Sequence, residues 1–435
     1  MSNESGPLVP DNGDLPFAAE TIVTWQAPPI KFGAGATGEV GHDAAALGLR
    51  SVLLVTDPYL SQTGLPKRVA SLIGARGIAV EIFEGAEVEP TDAGCSEAAL
   101  ATAGLAADGY VAVGGGSSID TAKLLNLLHS FPEAALGRYL NRPVGAGEPV
   151  PGPLKPLIAI PTTSGTGSEC TSMVALEITA ERVKTGIADR RLQPTLAVVD
   201  PLNTVSMSAA VTAASGYDVL CHACESYTAR PYDRRPRYAS AAERPIYVGA
   251  NPISDVWAER TLELVGKYFR RAVLNGDDLD ARTGMSLAAL QAGLGFGNAG
   301  THIPHACAYP IAGRVRDYVP SGYPTSHPMV PHGQAVVVTA PAAFSFTYRA
   351  DPERHHRAAE LLGGVGGGPD ALPEAIRSIV RDTGGPLTLA GLGYTETDIP
   401  ALIEGTVKQQ RLLSCCPRPV SETDLRRVFR DSVGC

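Results

Sequence analysis

Basic residues are in deficit in this chain: 36 Lys and Arg stand against 45 Asp and Glu, a formal charge of −9 over 435 residues. A nucleic-acid or anionic-membrane partner needs a clustered basic face, so both partner classes are excluded. Cysteines number eight and are scattered, which rules out a disulfide framework. Cys221 and Cys224 form a CxxC, but no second pair lies at zinc-site spacing, and both read as small buried hydrophobes within one helix. No run of about 18 apolar residues offers a membrane span. The opening MSNESGPLVPDNGDLPFAAE has neither a basic nor an apolar leader region and lacks Arg, which assigns the chain to the cytoplasm by default. Aromatics make up only 6%, whereas Gly (47) and Pro (35) abound, a composition of tight turns and close backbone approaches rather than a coiled coil or fibre.

The length predicts two domains. Up to about residue 206, short apolar runs alternate with helical segments: strands at 51–56, 78–83, 109–113, 157–160 and 196–199 flank helices near 60–75 and 93–107. That alternation predicts an α/β domain, 1–206, built on a parallel sheet covered on both faces. From 207 to 435, Ala- and Leu-rich segments at helical spacing dominate, predicting an all-α second domain. The polar stretch 230–251 reads as an ordered loop or lid. The glycine run 363–368 follows a helix rather than a strand, so it reads as a helix connector and not a phosphate loop.

Three constellations can carry chemistry. Gly114, Gly115, Gly116 and Ser117 follow a strand and open a helix that includes Asp120. Glycines there let backbone approach a pyrophosphate, and the helix N-terminus offers its unpaired N–H groups. Asp57 closes the first strand, where a carboxylate can accept bonds from ribose hydroxyls and repel a 2′-phosphate, or else simply cap a helix at Pro58. Thr162, Thr163 and Thr166 lie in the hydroxyl-rich loop 161–169, read as a strand-to-helix junction. The third constellation is Asp218 and His222, four apart on one helix face, then Asn298, His302 and His305 along a later helix, then His332. One carboxylate with imidazoles suits a borderline divalent ion such as Fe²⁺ or Zn²⁺. His42, His129, His355 and His356 read as solvated surface residues.

These motifs (GGGSSIDTAK, PTTSGTGSE, DVLCHACES, HACAYPIAG and VPHGQA) resemble, in order and over nearly the whole chain, the iron-containing (group III) alcohol dehydrogenase family. GATGEVG, VKTGIA, NPISDVWA and HPMVPHG are similar to its hydroxyacid–oxoacid transhydrogenase branch. The resemblance implies a dehydroquinate synthase-like architecture and hydride transfer between a nicotinamide cofactor, NAD(H) rather than NADP on the strength of Asp57, and an alcohol or carbonyl substrate. It implies a metal, Fe²⁺ before Zn²⁺, held by Asp218, His222, His305 and His332. It also implies a pyrophosphate site at Gly114–Ser117, a ribose contact at Asp57 and a nicotinamide half lined by Thr162, Thr163 and Thr166. Many members carry a histidine four residues after the third ligand; here that position is Tyr309, which with His302 and Lys184 completes the catalytic candidates. Lys184 is the cation chosen for a substrate carboxylate. The expected partner set is a small alcohol, aldehyde or hydroxy/oxo acid, and a second copy of the chain. An NAD(P)H-dependent alcohol or aldehyde reductase is the nearest rival, and a lyase or cyclase of the dehydroquinate synthase type the next.

Overall fold

Residues 19–434 are described by the computed structural model, apart from Ala106, Ala134, Glu181, Arg182 and Ser326. The chain folds as two compact units, one of residues 27–206 and one of residues 207–434 joined by the segment 19–26.

In the first unit the strands are β1 (Ile30–Phe32), β2 (Ser51–Val55), β3 (Ala79–Phe83), β4 (Gly109–Gly114), β5 (Leu157–Pro161), β6 (Met173–Ile178), β7 (Val183–Ala188) and β8 (Leu196–Val199). Six of them form one sheet in the order β3-β2-β4-β5-β8-β1, and every pairing is parallel. β4 and β5 are buried along their whole length, as central strands covered on both faces must be. Val52, Leu54, Val111 and Ile158 pack with Val40, Val69 and Ile73, while Leu53, Tyr110 and Ala112 pack with Ile119 and Leu125. From β2 the chain first adds β3 on one side and then β4 on the other. The carboxyl ends of β2 and β4 therefore make a topological switch point, where open α/β sheets bind ligands.

Three strands escape the sequence reading. β1 is only three residues long and lies at the sheet edge, and β6 and β7 form a separate antiparallel hairpin. The hydroxyl-rich loop after β5 leads into β6 and not into a helix.

In the second unit, among the described residues, helices replace strands altogether. The Ala209–Tyr227 helix starts at Ser208, whose hydroxyl accepts from Val211 N–H, and every residue from Gly216 to Tyr227 is buried. It packs against the Pro252–Leu274, Leu279–Ala299 and His332–Val337 helices. The segment 19–26, placed by sequence in the 1–206 domain, belongs here instead. Glu20 pairs with Arg244, Trp25 stacks on Trp257, and Gln26 exchanges backbone bonds with the Asn298 amide. No helix is long and apolar enough to cross a membrane among the described residues. Gly363, Gly366 and Gly368 join the Pro352–Leu361 and Ala371–Asp382 helices with positive φ, as a connector should.

Candidate active site

Asp218 and His222 face inward from consecutive turns of the buried Ala209–Tyr227 helix, and two further imidazoles meet them. Asp218 Oδ1 lies 3.6 Å from His222 Nε2, 3.3 Å from His305 Nε2 and 3.7 Å from His332 Nε2. Donors set tetrahedrally about 2.1 Å from one ion would sit roughly 3.4 Å apart. Asp218 Oδ1 and His305 Nε2 are buried, yet among the described residues neither has a hydrogen-bond partner. Buried polar atoms without a partner are costly, and a shared cation would satisfy both. Asp218, His222 and His305 bring their ligand atoms within 4.8 Å of one another, a set that fits a divalent ion, and His332 approaches Asp218 beside them.

The local sequence explains the convergence. Gly333 follows His332, and a Cβ there would lie 1.9 Å from the Ala214 carbonyl oxygen and 2.9 Å from Asp218 N. Only glycine lets the His332–Val337 helix come so close to Asp218. Gly300, at φ 94°, ends the Leu279–Ala299 helix, and the next helix starts at Ile303. Asn298, His302 and His305 thus do not share one helix face, contrary to the sequence reading. Phe296 still contributes, its ring stacked on His222 at 3.7 Å between centroids.

Glu225 is the residue the motif reading missed. Fully buried, it accepts from His305 Nδ1 at 2.6 Å through one oxygen, and from the His302 backbone N–H at 2.6 Å through the other. It lies three residues after His222 and seven after Asp218, so the same helical periodicity that paired those two also marks Glu225. A carboxylate behind a ligating imidazole fixes its ring and tautomer. Burial favours a neutral His305, but Glu225 and Asp218 outweigh it and hold the pKa at about 9. Burial pushes His222 down to about 3, leaving its ring neutral. Burial would likewise raise Asp218, but His222, His332 and His305 hold it well below the usual carboxylate range.

His302 stands apart from this cluster. Its Nε2 is 3.2 Å from the Thr228 hydroxyl, its ring meets Phe344 edge-on, and burial lowers its pKa to about 4. It is a core residue, as is His355, which bonds Thr347 and the Asp351 carbonyl rather than facing solvent. Tyr309 remains near the cluster, its ring edge-on to His332 at 6.4 Å. Cys221 and Cys224 are free and buried, and burial raises both thiols.

In the other unit, the carboxyl edge of the sheet gathers Asp57 after β2, Gly114–Ser117 after β4 and the Thr-rich loop after β5. A Cβ on Gly114 would lie 2.2 Å from Ser118 Oγ, and one on Gly116 would lie 2.5 Å from Thr166 Oγ1, so the loops close tightly only with glycine. Asp57 Oδ1 caps the Pro58–Ser61 turn through Leu60 N–H at 2.8 Å. Thr162 N–H donates to Gly114 O at 3.0 Å, which ties the two loops together. Ser117 donates to the Val88 carbonyl.

Asp120 is engaged within the protein at this edge. It accepts from Ser168 and from Ala175 N–H, and lies 3.8 Å from Lys123 Nζ. Lys123, buried, bonds the Ser168, Thr171 and Met173 carbonyls and so underpins the 161–173 segment. Lys184, chosen from sequence for a substrate carboxylate, is ion-paired with Glu89 at 2.5 Å, so its charge is already met.

The model of "Iron-containing alcohol dehydrogenase" matches residues 27–201, and that of "Fe-containing alcohol dehydrogenase family, C-terminal" matches 239–433. A Bos taurus protein, "Hydroxyacid-oxoacid transhydrogenase, mitochondrial", is 46% identical over 98% of this chain and 92% of its own. The crystal structure of a 1,3-propanediol oxidoreductase superposes with TM-score 0.82 at 30% identity, over 94% of this chain and all of that one. Sulfoacetaldehyde reductase from Bifidobacterium kashiwanohense, solved with NAD⁺, gives TM-score 0.78 at 27% identity, over 95% of this chain and all of that one. The cytoplasmic default does not survive, because the cattle, rat and human relatives are all named as mitochondrial. That default rested on residues 1–20, nearly all outside the described ones, and on the mere lack of a leader pattern. Matched over most of its length by both family models, the chain belongs to the iron-containing alcohol dehydrogenases, enzymes that join a divalent metal and a nicotinamide cofactor in alcohol–carbonyl redox chemistry.

Proposed function

We propose that this enzyme is a hydroxyacid–oxoacid transhydrogenase that retains NAD(H): a hydroxy acid reduces the bound nicotinamide, and an oxo acid reoxidises it. The observation that carries the chemistry is the set of three imidazole nitrogens around one buried carboxylate oxygen, Asp218 Oδ1. The full-length likeness to the Bos taurus transhydrogenase supports this choice of branch. Asp218, His222, His305 and His332 would hold one ion, Fe²⁺ in preference to Zn²⁺. The ion would supply Lewis-acid polarisation of the substrate oxygen, and the nicotinamide would carry the hydride.

The protein's own groups do the rest. Glu225 holds the His305 ring, and the Asp218 carboxylate offsets the charge of the dication. The His332 side chain is 36% exposed, the most accessible donor, and marks the side from which substrate enters. Gly114, Gly115, Gly116 and Ser117 present N–H groups at the start of the Gly116–Ser130 helix to the diphosphate. Asp57 meets the ribose, while Thr162, Thr163 and Thr166 line the nicotinamide half. A homodimer is part of the same proposal, supported by the edge position of β1 and its exposed Ile30 and Phe32.

Purified enzyme given a hydroxy acid and an oxo acid, with no free nucleotide, should turn over continuously. Stoichiometric reduction that stops until NAD⁺ is added would identify a plain NAD(P)H-dependent reductase instead. A second expectation concerns Asp57. The Asp57→Ala enzyme should lose about tenfold of its NAD over NADP preference in kcat/KM, equivalent to about 1.4 kcal/mol. It should also lose about 1 kcal/mol of stability with the cap on Leu60. An unchanged cofactor ratio would count against the ribose contact.

A further inference from the structure

Among the described residues, three arginines crowd one place in the helical unit with no ion-paired acid. Arg411 sits on the Gln410–Leu413 turn, which packs against the Ile303–Gly313 helix that carries His305 and Tyr309. Its guanidinium carbon lies 4.6 Å from the centre of the Tyr247 ring. Tyr247 and Cys415 Sγ both press on Gly300, where a Cβ would come within 2.8 Å of each, so this cluster abuts the chain leading into the histidine-bearing helix. Arg230 and Arg235 approach from the 230–251 loop. All three guanidinium charges act on the Cys415 thiol, and that of Arg411 also acts on the Tyr309 hydroxyl.

Among the described residues, four buried guanidinium nitrogens here have no hydrogen-bond partner, Arg411 Nη1, Arg230 Nε, and Arg235 Nη1 and Nη2, while Arg235 Nε donates to the Tyr232 carbonyl at 3.0 Å. Glu20, the acid whose charge bears on Arg235, is already ion-paired with Arg244 at 2.9 Å. Buried like charges with unmet donors are unfavourable unless an anion joins them, and a guanidinium fork matches a carboxylate in both charge and shape.

We propose that Arg411, backed by Arg230 and Arg235, receives the carboxylate of the hydroxy- or oxo-acid substrate, with Tyr309 between it and the Asp218–His332 cluster. The inference rests on the transhydrogenase reading and replaces Lys184, whose charge Glu89 already meets. It also gives the 230–251 loop a task, the supply of two supporting cations.

The test uses metal-loaded enzyme with glycolate, 3-hydroxypropanoate and 4-hydroxybutanoate as hydride donors and uncharged pentanal as the common hydride acceptor. Each is set against the neutral alcohol of the same length, namely ethanol, propan-1-ol and butan-1-ol. Wild type should favour at least one acid over its alcohol in kcat/KM. Arg411→Met should raise KM for that acid at least thirtyfold while leaving kcat/KM for the alcohol within threefold. Binding of the unreactive butanoate, followed by calorimetry, should weaken in parallel. Wild type that shows no acid preference would overturn the transhydrogenase reading, and the Arg411 proposal with it. Acid preference that survives Arg411→Met would overturn the Arg411 proposal alone, and so would equal loss of acid and alcohol in a variant with native circular dichroism. Should Arg411→Met fail to fold, Arg411→Lys carries the test: it keeps the charge but not the fork, so acid preference must fall at least threefold, and an unchanged preference overturns the proposal.

Discussion

Replacing His305 with alanine should empty the metal site and lower kcat/KM by at least about a thousandfold. Lewis-acid stabilisation is worth several kcal/mol, and each 1.36 kcal/mol is about tenfold in rate. His305 Nε2 is the donor nearest Asp218 Oδ1, at 3.3 Å, and its removal also strips Glu225 of its 2.6 Å partner. A buried carboxylate without that partner is expensive, so the Tm should fall as well. His302→Ala supplies the contrast. That imidazole touches Thr228 and Phe344, and not the cluster. Its loss should cost about 1–3 kcal/mol of stability while leaving stoichiometric metal in the folded protein. Elemental analysis of the two purified variants, read beside their melting curves, separates the roles. Full metal content in His305→Ala would remove it from the ligand set, and metal loss in folded His302→Ala would bring that residue in.

The contrast marks how far sequence alone carries the site. Asp218 and His222 could be paired because a four-residue spacing has one meaning on a helix. His302 and His305 look equivalent until Gly300, at φ 94°, breaks the helix and turns the two rings to different surroundings. A glycine within an Ala- and Leu-rich run does not announce that it will adopt a positive φ. The central strands were readable because burial on both faces writes itself as unbroken apolar runs, such as Leu157–Pro161. β1 was not, being three residues long with Lys31 in the middle. Lys31 answers to Asp43 at 2.7 Å, a tertiary partner twelve residues on. The partners of Asp120 and Lys184 were unreadable for the same reason. Their charges are spent on Ser168, Ala175 and Glu89, pairings that exist only once the hairpin β6–β7 has folded back beside them.

Glu225 carries the other large expectation, because its contribution should appear in metal affinity before it appears in the fold. One oxygen takes the His305 Nδ1 proton, and the other takes the His302 N–H at 2.6 Å and the His305 N–H at 3.4 Å. Glutamine keeps the shape but has a single acceptor, so whichever way its amide turns, one of those two arrangements loses its bond. If the oxygen stays with the backbone, the NH₂ faces Nδ1 and drives the ring toward the tautomer that carries its proton on Nε2, the nitrogen facing Asp218. Outer carboxylates of this kind are worth roughly 10–100-fold in metal affinity. Glu225→Gln should therefore bind metal about 10–100-fold more weakly in chelator competition, with kcat recovering at saturating metal. Glu225→Ala should add a stability loss, since two or three buried N–H groups are then left without acceptors at about 1–3 kcal/mol each. A positioning role predicts that ordering of the two variants. Wild-type affinity in Glu225→Gln would show that the His305 ring is held by its packing alone. A kcat defect that saturating metal does not repair would instead put Glu225 in contact with the reacting groups.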